Sequence, residues 1–182
     1  MHSQRNADSI CRLMKDLRGG RKVFRLNAVR NLPVIMQSKR VGMLLGISVD
    51  LYTKQATDII VACGLRGKRR IQCRYISAIA EGFILIDDTA HSTVDHGGIN
   101  RVFAFDTTGV LIGRASDYAI EESSMEIQAI EIITGYLPGI YPRKTWIFDY
   151  ECIGTGEILL PASIRCGLID LEREGRTCVC RQ

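Results

Sequence analysis

From residue 22 onward, short apolar runs alternate with polar turns along most of the chain. The clearest runs are residues 32–36, 41–50 and 57–63, and the last of these is rich in β-branched side chains. Short apolar runs of this composition, separated by polar or glycine-containing turns, are typical of β-strands. The pattern therefore predicts an all-β protein, built as small closed barrels that leave few strand edges unpaired.

The same order of apolar runs and turns occurs twice. Residues 32–87 have a rough copy in residues 100–161, displaced by about 71 positions at first and by about 74 after a glycine turn. The matched pairs are residues 34–36 with 102–104, 41–42 with 112–113, Asp50 with Glu121, 59–64 with 130–135, and 79–85 with 153–159. Two copies of one unit predict two small barrels of similar fold in tandem.

Glycines occupy matching positions in the two copies. Gly42, Gly82, Gly113 and Gly156 stand where strands are expected to bend. A residue without a Cβ atom permits a positive φ or a close approach between strands. We therefore expect the backbone to require glycine at all four positions.

The repeat and the polar segments around it divide the chain into five parts. Residues 1–21 are a basic lead-in, 22–90 the first barrel, 91–99 a polar linker, 100–171 the second barrel and 172–182 a charged tail. The lead-in is predicted either to be disordered or to form a short helix with Ile10, Leu13 and Leu17 on one face. A chain of 182 residues allows one large domain or two small ones.

Both copies contain segments that resemble a known family. These segments are residues 32–34, 40–42, 49–50 and 79–85 in the first copy, and 101–103, 111–113, 120–121 and 153–159 in the second. Each copy resembles a PRC-barrel domain, the small β-barrel named for the photosynthetic reaction-centre H subunit and also found in a small-subunit ribosome maturation factor. The pair resembles uncharacterised bacterial proteins with two such barrels. The resemblance implies an adaptor or assembly role, since PRC-barrels in better-known proteins hold macromolecular partners.

The formal net charge of +4 hides a strong asymmetry between the two halves. Residues 1–86 contain 16 lysines and arginines against 5 acidic residues, whereas residues 87–182 contain 8 against 15. A separation of charge between the two halves of a chain indicates which kinds of partner each half can attract. The basic half is suited to nucleic acid or to an acidic protein. The favoured interpretation is that it faces the acidic half within one chain or across a homodimer, because oppositely charged modules in one chain screen each other.

The main basic cluster lies in the long turn of the first copy. It consists of Arg66, Lys68, Arg69 and Arg70, with Arg21 and Lys22 from the start of the chain as further members. Phosphate contacts from such a cluster would be independent of sequence and sensitive to salt. The alternative is a solvated hairpin tip, or a surface that faces the acidic half.

The matching turn of the second copy is aromatic and apolar instead of basic. Its candidate partner-binding residues are Tyr136, Leu137, Ile140, Tyr141 and Trp146. An exposed patch of this kind is a typical protein-binding surface. The alternative is that the turn folds back over the end of its own barrel.

Seven cysteines are present, and their odd number and irregular spacing argue against a disulfide framework. Cys178 and Cys180 are the candidate metal ligands, because two thiolates at this spacing can bind zinc or form a redox pair. The alternative is an unstructured C-terminal tail. A second candidate set, His91 and His96 with nearby aspartates, has a solvated linker as its alternative.

The sequence contains no glycine-rich phosphate-binding motif, and the catalytic motifs G-x-S-x-G and H-E-x-x-H are absent as well. We therefore predict a non-catalytic adaptor without a cofactor, which mediates protein–protein interaction or assembly. An RNA- or ribosome-associated factor and a metal or redox protein are the alternatives. The sequence has no apolar run long enough to span a membrane and no apolar signal core, so we expect a cytoplasmic protein without a membrane partner.

Overall fold

The computed structural model describes residues 22–94, 101–134 and 143–161. The secondary structure of these residues is almost entirely β, which confirms the all-β prediction, while two closed barrels remain a prediction. The first stretch contains β1 Val23–Arg25, helix α1 Leu26–Val29, β2 Pro33–Met36, β3 Lys39–Asp50, β4 Gln55–Ala62, β5 Lys68–Gln72, β6 Ile76–Ile79, β7 Ile84–Ile86 and β8 Ser92–Val94. The remaining stretches contain β9 Phe103–Phe105, β10 Leu111–Glu121, β11 Ile127–Thr134, β12 Arg143–Ile147, β13 Glu151–Gly154 and β14 Glu157–Leu159. The helical segments described are too short or too polar to cross a bilayer.

The sequence repeat corresponds to a repeated strand order. One sheet runs β6-β7-β2-β3-β4-β5-β8, and the other runs β13-β14-β9-β10-β11-β12, with β1 paired to β10. In each sheet the first strand of the repeat pairs in parallel with the last, β2 with β7 and β9 with β14. In both sheets the hairpins that contain these strands, β2–β3 and β9–β10, are antiparallel, as are β6–β7 and β13–β14. The two copies therefore share one topology over six strands.

The alignment predicted for the first strand of the repeat was wrong by two residues. Val34 lies opposite Gly42 and Ile84, and Ala104 lies opposite Gly113 and Ile158. Val34 is therefore the counterpart of Ala104 and not of Val102. A displacement of two residues keeps every side chain on the same face of a strand, so the hydrophobic pattern could not detect it.

The chain divides into two compact units that do not follow the order of the sequence. Among the described residues, the first unit contains 22–94 and 117–130, and the second contains 101–116, 131–134 and 143–161. Residues 117–130 are the tip of the β10–β11 hairpin, which we call the hairpin tip.

Backbone pairing joins the hairpin tip to the first copy within the first unit. Strand β1 pairs with its first strand, with Phe24 opposite Ile120. The start of β4 and the turn before it pair with the other side of the hairpin tip, where the Ala56 N–H donates to the Met125 carbonyl at 2.8 Å. The Ile127 N–H donates to the Lys54 carbonyl, also at 2.8 Å. A segment of the second copy thus completes the unit built by the first.

A buried ion pair ties β1 to the hairpin tip. The Asp117 side chain is fully buried, and its carboxylate accepts hydrogen bonds from Arg25 Nε at 3.0 Å and from the Asn27 N–H at 2.9 Å. The Arg25 Nη2 atom lies 2.9 Å from the same carboxylate. Burial raises the pKa of Asp117 above its usual value, because desolvation outweighs the backbone donors and the guanidinium.

The cores of the units lie on the central strands. In β4, Ile59, Ile60 and Val61 are all buried, so this strand is covered on both faces, as its apolar run predicts. In the second unit, the buried side chains include Ala104 and Ile158 on the two parallel strands.

Candidate functional site

The basic cluster of the first copy forms a compact turn between β4 and β5. Residues 64–70, which we call the basic tip, begin with a 3₁₀ turn over Gly64–Arg66. Gly64 and Gly67 adopt φ angles of +61° and +77°, in the region that glycine occupies without a Cβ penalty. The Cys63 N–H closes the turn by donating to the Gly67 carbonyl at 2.8 Å. The local sequence therefore builds the turn, and the turn presents the side chains between the two glycines.

The basic tip also contains one apolar side chain, that of Leu65, between its two glycines. Leu65 is fully exposed, and its neighbours Arg66 and Lys68 are exposed as well. Arg69 is half-buried on β5, opposite Val94 of β8, whose side chain is 49% exposed. The basic tip therefore combines cations with exposed apolar surface, which a purely solvated hairpin does not need.

The structure divides the predicted cluster of six cations. Arg70 lies 3.7 Å from the Asp58 carboxylate, and Lys22 lies 2.8 Å from the Glu122 carboxylate of the hairpin tip. Lys22 also donates to the Ile79 carbonyl at 3.1 Å, so its ammonium is held away from the basic tip. Arg21 lies outside the described residues.

Three cations of the basic tip differ from Lys22 and Arg70 in having no carboxylate partner among the described residues. Within the part of the chain that the structure describes, no ion pair involves Arg66, Lys68 or Arg69. The exposed positive charge of the basic tip therefore comes mainly from these three side chains.

Most of the predicted aromatic patch cannot be placed. Tyr136, Leu137, Ile140 and Tyr141 lie outside the described residues. Trp146 is on β12 and half-buried, and Phe148 directly after it is 50% exposed. A binding role for the aromatic turn stays a prediction.

The predicted metal ligands also fall largely outside the structure. Cys178 and Cys180 are not among the described residues. Over residues 22–94, 101–134 and 143–161, no group of three or more metal-ligating side chains comes together. Asp87, shortly before the predicted linker, is used locally, because it accepts hydrogen bonds from the N–H and the hydroxyl of Thr89 at 2.7 and 2.6 Å.

A cleft of about 540 Å³ opens on the first unit beside the hairpin tip. Asp58, Cys73, Arg74 and Glu122 contribute to its walls. Burial, assisted by the negative charge of Asp58, raises the pKa of the Cys73 thiol to about 12. The thiol is therefore protonated at neutral pH, and it lacks the thiolate character that a nucleophile or redox group needs.

This protonated state gives a direct prediction for cysteine labelling. At pH 8, iodoacetamide is expected to modify Cys73 of the native protein far more slowly than the half-buried Cys63 and Cys152, because only the thiolate reacts. Mass spectrometry of peptides after a timed quench measures the three rates separately. Equal rates at Cys73 and Cys63 would contradict a buried, protonated thiol.

The high pKa also fixes the sign of a stability effect. An exposed cysteine thiol has a pKa of 9.0, and the pKa of Cys73 in the folded protein is about 12. The folded state therefore holds the proton more tightly, and the stability that this contributes is present below pH 9 and lost as the pH rises towards 12.

The sequence-based prediction missed two features of the first unit. Leu65 could have been identified, because an apolar residue between two glycines in a basic turn is a local signal, but the prediction for this turn considered only its charge. The contribution of Asp117 and Glu122 from the hairpin tip has no such signal. Arg25 is 92 positions away from Asp117, and the Ile79 N–H that donates to Glu122 is 43 positions away.

Comparison with known proteins adds no assignment. The chain matches no protein-family model and no curated protein.

Proposed function

We propose that the protein is a non-catalytic adaptor of two PRC-barrel-like copies, and that its basic tip binds an acidic surface of a protein partner. The observation that supports this most is the fully exposed Leu65 among three cations that form no ion pair with any residue the structure describes. Protein interfaces commonly place an apolar side chain at the centre and charges at the rim, where the charges steer association. The basic tip has this composition.

Nucleic acid is the second candidate because the same three cations suit a phosphate backbone. Single-stranded nucleic acid is normally held by aromatic side chains on which bases stack. The basic tip, residues 64–70, contains no aromatic residue. The nearby Tyr75 ring is covered by the Arg74 guanidinium, whose central carbon lies 4.9 Å from the ring centre. These observations favour a protein partner.

The experiment that tests the proposal reverses the charge of the basic tip. A chain with Arg66→Glu, Lys68→Glu and Arg69→Glu is used as bait in an extract of the native cell, with cross-linking and quantitative mass spectrometry. We expect recovery of the specific partner to fall by at least about tenfold, since each reversed contact adds repulsion to lost attraction. Leu65→Ser in the unaltered charge background is expected to reduce recovery as well.

The matched control carries the same change of charge elsewhere on the first unit. Arg30, Lys39 and Arg40 are exposed, and their replacement by glutamate is expected to leave recovery of the partner unchanged. If the control and the tip variant lose partner recovery equally, the loss is caused by the change in net charge, and the assignment of binding to the basic tip is refuted. If nuclease treatment of the extract abolishes recovery, the partner is held through nucleic acid, and the proposal of a direct protein partner is wrong.

A further inference from the structure

The sheet of the first copy has two edges, of which one is covered. Its described strand order ends at β6 on one side and at β8 on the other. On β6 both backbone groups of Ile79 are occupied, since its N–H donates to Glu122 Oε1 at 3.2 Å and its carbonyl accepts from Lys22 Nζ at 3.1 Å. Side chains from elsewhere in the first unit therefore close the β6 edge at this residue.

The β8 edge has no such cover among the residues that the structure describes. Its three residues, Ser92, Thr93 and Val94, are all exposed, and in that part of the chain they pair with β5 alone. The strand contains no charge, no proline and no bulge, which are three of the devices by which proteins discourage pairing at an edge. The edge is therefore suited to receive a further strand.

The hydrogen bonds of the β4–β5 hairpin fix the direction of the β5 backbone. The Cys63 N–H donates to the Gly67 carbonyl, so these two residues form a hydrogen-bonded pair. Hydrogen-bonded and non-hydrogen-bonded pairs alternate along an antiparallel ladder. Arg69, two residues after Gly67, therefore directs its backbone groups to β4, and Arg70 directs its own to β8.

The same alternation shows which groups of β8 point away from the sheet. Thr93 lies opposite Arg70, so its N–H and carbonyl are directed to β5. Ser92 and Val94, one residue to either side, direct theirs to the outer edge. The edge therefore presents two N–H groups and two carbonyls to an incoming strand.

The basic tip lies at one end of this edge. Val94 is opposite Arg69, and β5 begins one residue earlier at Lys68, directly after the turn that contains Arg66. Lys68 and Arg69 are consecutive in a strand, so their side chains point to opposite faces of the sheet. A strand placed beside β8 would thus have positive charge near it on both faces.

We infer that β8 binds an extended acidic segment of the protein partner as an added strand. The inference rests on the proposed function, because it states how an acidic partner engages the basic tip. Main-chain hydrogen bonds provide affinity in this mode of recognition, and side chains provide specificity. Since β8 is short and offers four outward groups, the cations have to contribute much of the attraction, which selects an acidic segment.

The first test uses a defined probe, a fluorescein-labelled peptide of about ten residues in which glutamate and valine alternate. Its affinity for the full chain is measured by fluorescence polarisation. The control peptide has the same sequence but is N-methylated at every residue, so it keeps its charge and loses its main-chain donors. We expect N-methylation to weaken binding by at least about tenfold. Equal affinity of the two peptides would overturn the inference.

The second test removes one outward N–H from β8. Val94→Pro deletes that group and leaves the ladder bond of Thr93 intact, and proline is tolerated where the N–H side of an edge strand is unpaired. We expect this variant to bind the peptide at least about fivefold more weakly, whereas Val94→Ala, which keeps the N–H, loses less than about twofold. Circular dichroism and thermal unfolding confirm that both variants are folded. Equal effects of the two variants would refute the added strand.

Amide hydrogen exchange measured by NMR follows the edge directly. In the free protein the Thr93 amide is expected to be protected, and those of Ser92 and Val94 to exchange faster. Saturating peptide should slow the exchange of these two amides by at least about tenfold. Unchanged exchange in the complex would contradict the inference. So would protection in the free protein, which would mean that this chain or, if the protection depends on concentration, a second copy already occupies the edge.

The outcomes separate this inference from the proposed function. The variant with Arg66→Glu, Lys68→Glu and Arg69→Glu is expected to lose the peptide as well. If it does, while the N-methylated peptide and Val94→Pro bind normally, acidic binding at the basic tip stands and the added strand is wrong. A wild-type chain that does not bind the peptide at millimolar concentration would also overturn the inference, and recovery of the native partner would still decide the proposed function.

Discussion

Replacing Gly42 with alanine is expected to destabilise the protein by about 3 kcal/mol, at the upper end of the cost of overpacking a filled site. A Cβ atom on Gly42 would lie 2.6 Å from Val61 Cγ1 and 2.9 Å from the Ala62 carbonyl carbon, and closer still to the Ala62 oxygen. The Ala62 atoms are backbone of the neighbouring strand, so they cannot turn aside as a flexible side chain does. Strands β3 and β4 would have to separate, and urea unfolding measures the loss.

The matched control is Gly82→Ala. Gly82 was expected to share the backbone requirement of Gly42, but no atom lies within 4 Å of its Cβ position and its φ is not in the left-handed region. Alanine there is expected to be neutral or to stabilise by about 0.5 kcal/mol, because it reduces the freedom of the unfolded chain. Similar losses in the two variants would mean that the close approach at Gly42 is not what requires glycine.

Gly113 extends the same argument to the second copy. Its Cβ position meets the carbonyl group of Ile133 and the side chain of Ile132, as that of Gly42 meets Ala62 and Val61. The two glycines therefore occupy equivalent sites of the repeated sheet. Gly113→Ala is expected to reproduce the loss seen with Gly42→Ala.

Replacing Asp117 with alanine is the second change with a large expected effect, a loss of about 3 kcal/mol. The substitution removes the acceptor of Arg25, of the Asn27 N–H and of the Tyr118 N–H. Arg25 is only 21% exposed, so its guanidinium would remain largely buried without its carboxylate. Chemical denaturation of the full chain at pH 7 measures the difference.

Two further variants separate the buried pair from surface charge. Lys22→Ala removes a cation that is 65% exposed from its contact with Glu122, and we expect a loss below about 1 kcal/mol. The combined Arg25→Met and Asp117→Leu chain is expected to recover much of the stability lost with Asp117→Ala, because it leaves no buried charge unpaired. The raised pKa of Asp117 supports this, since it shows that burial outweighs the favourable contacts. A double variant no more stable than Asp117→Ala would mean that the specific hydrogen bonds dominate.

The sequence allowed the strands, the repeat and the position of the basic tip to be predicted. Each of these depends on neighbouring residues: an apolar run such as 57–63 defines a strand, and glycines 64 and 67 frame a turn. The displacement of Val34 relative to Ala104 was missed because two-residue shifts preserve the face of a strand.

The candidate surface was predicted only in part. The sequence grouped Lys22 and Arg70 with the other cations, whereas the fold pairs them with Glu122 and Asp58. Counting charges along a chain cannot show which charges are neutralised by residues that are distant in sequence. The emphasis on charge also hid Leu65, whose exposure distinguishes an interaction surface from a solvated loop.

The sequence by itself determined the β-structure and the two copies, since alternation and turn chemistry act over a few residues and need no knowledge of distant partners. Only the tertiary structure decided that residues 117–130 belong to the first unit and that Arg25 is paired with Asp117, 92 positions away. It likewise decided that Leu111, Phe105 and Leu159 lie side by side on three neighbouring strands. Such juxtapositions depend on which strands become neighbours in the sheet, and the free energy that selects those neighbours is summed over the whole fold.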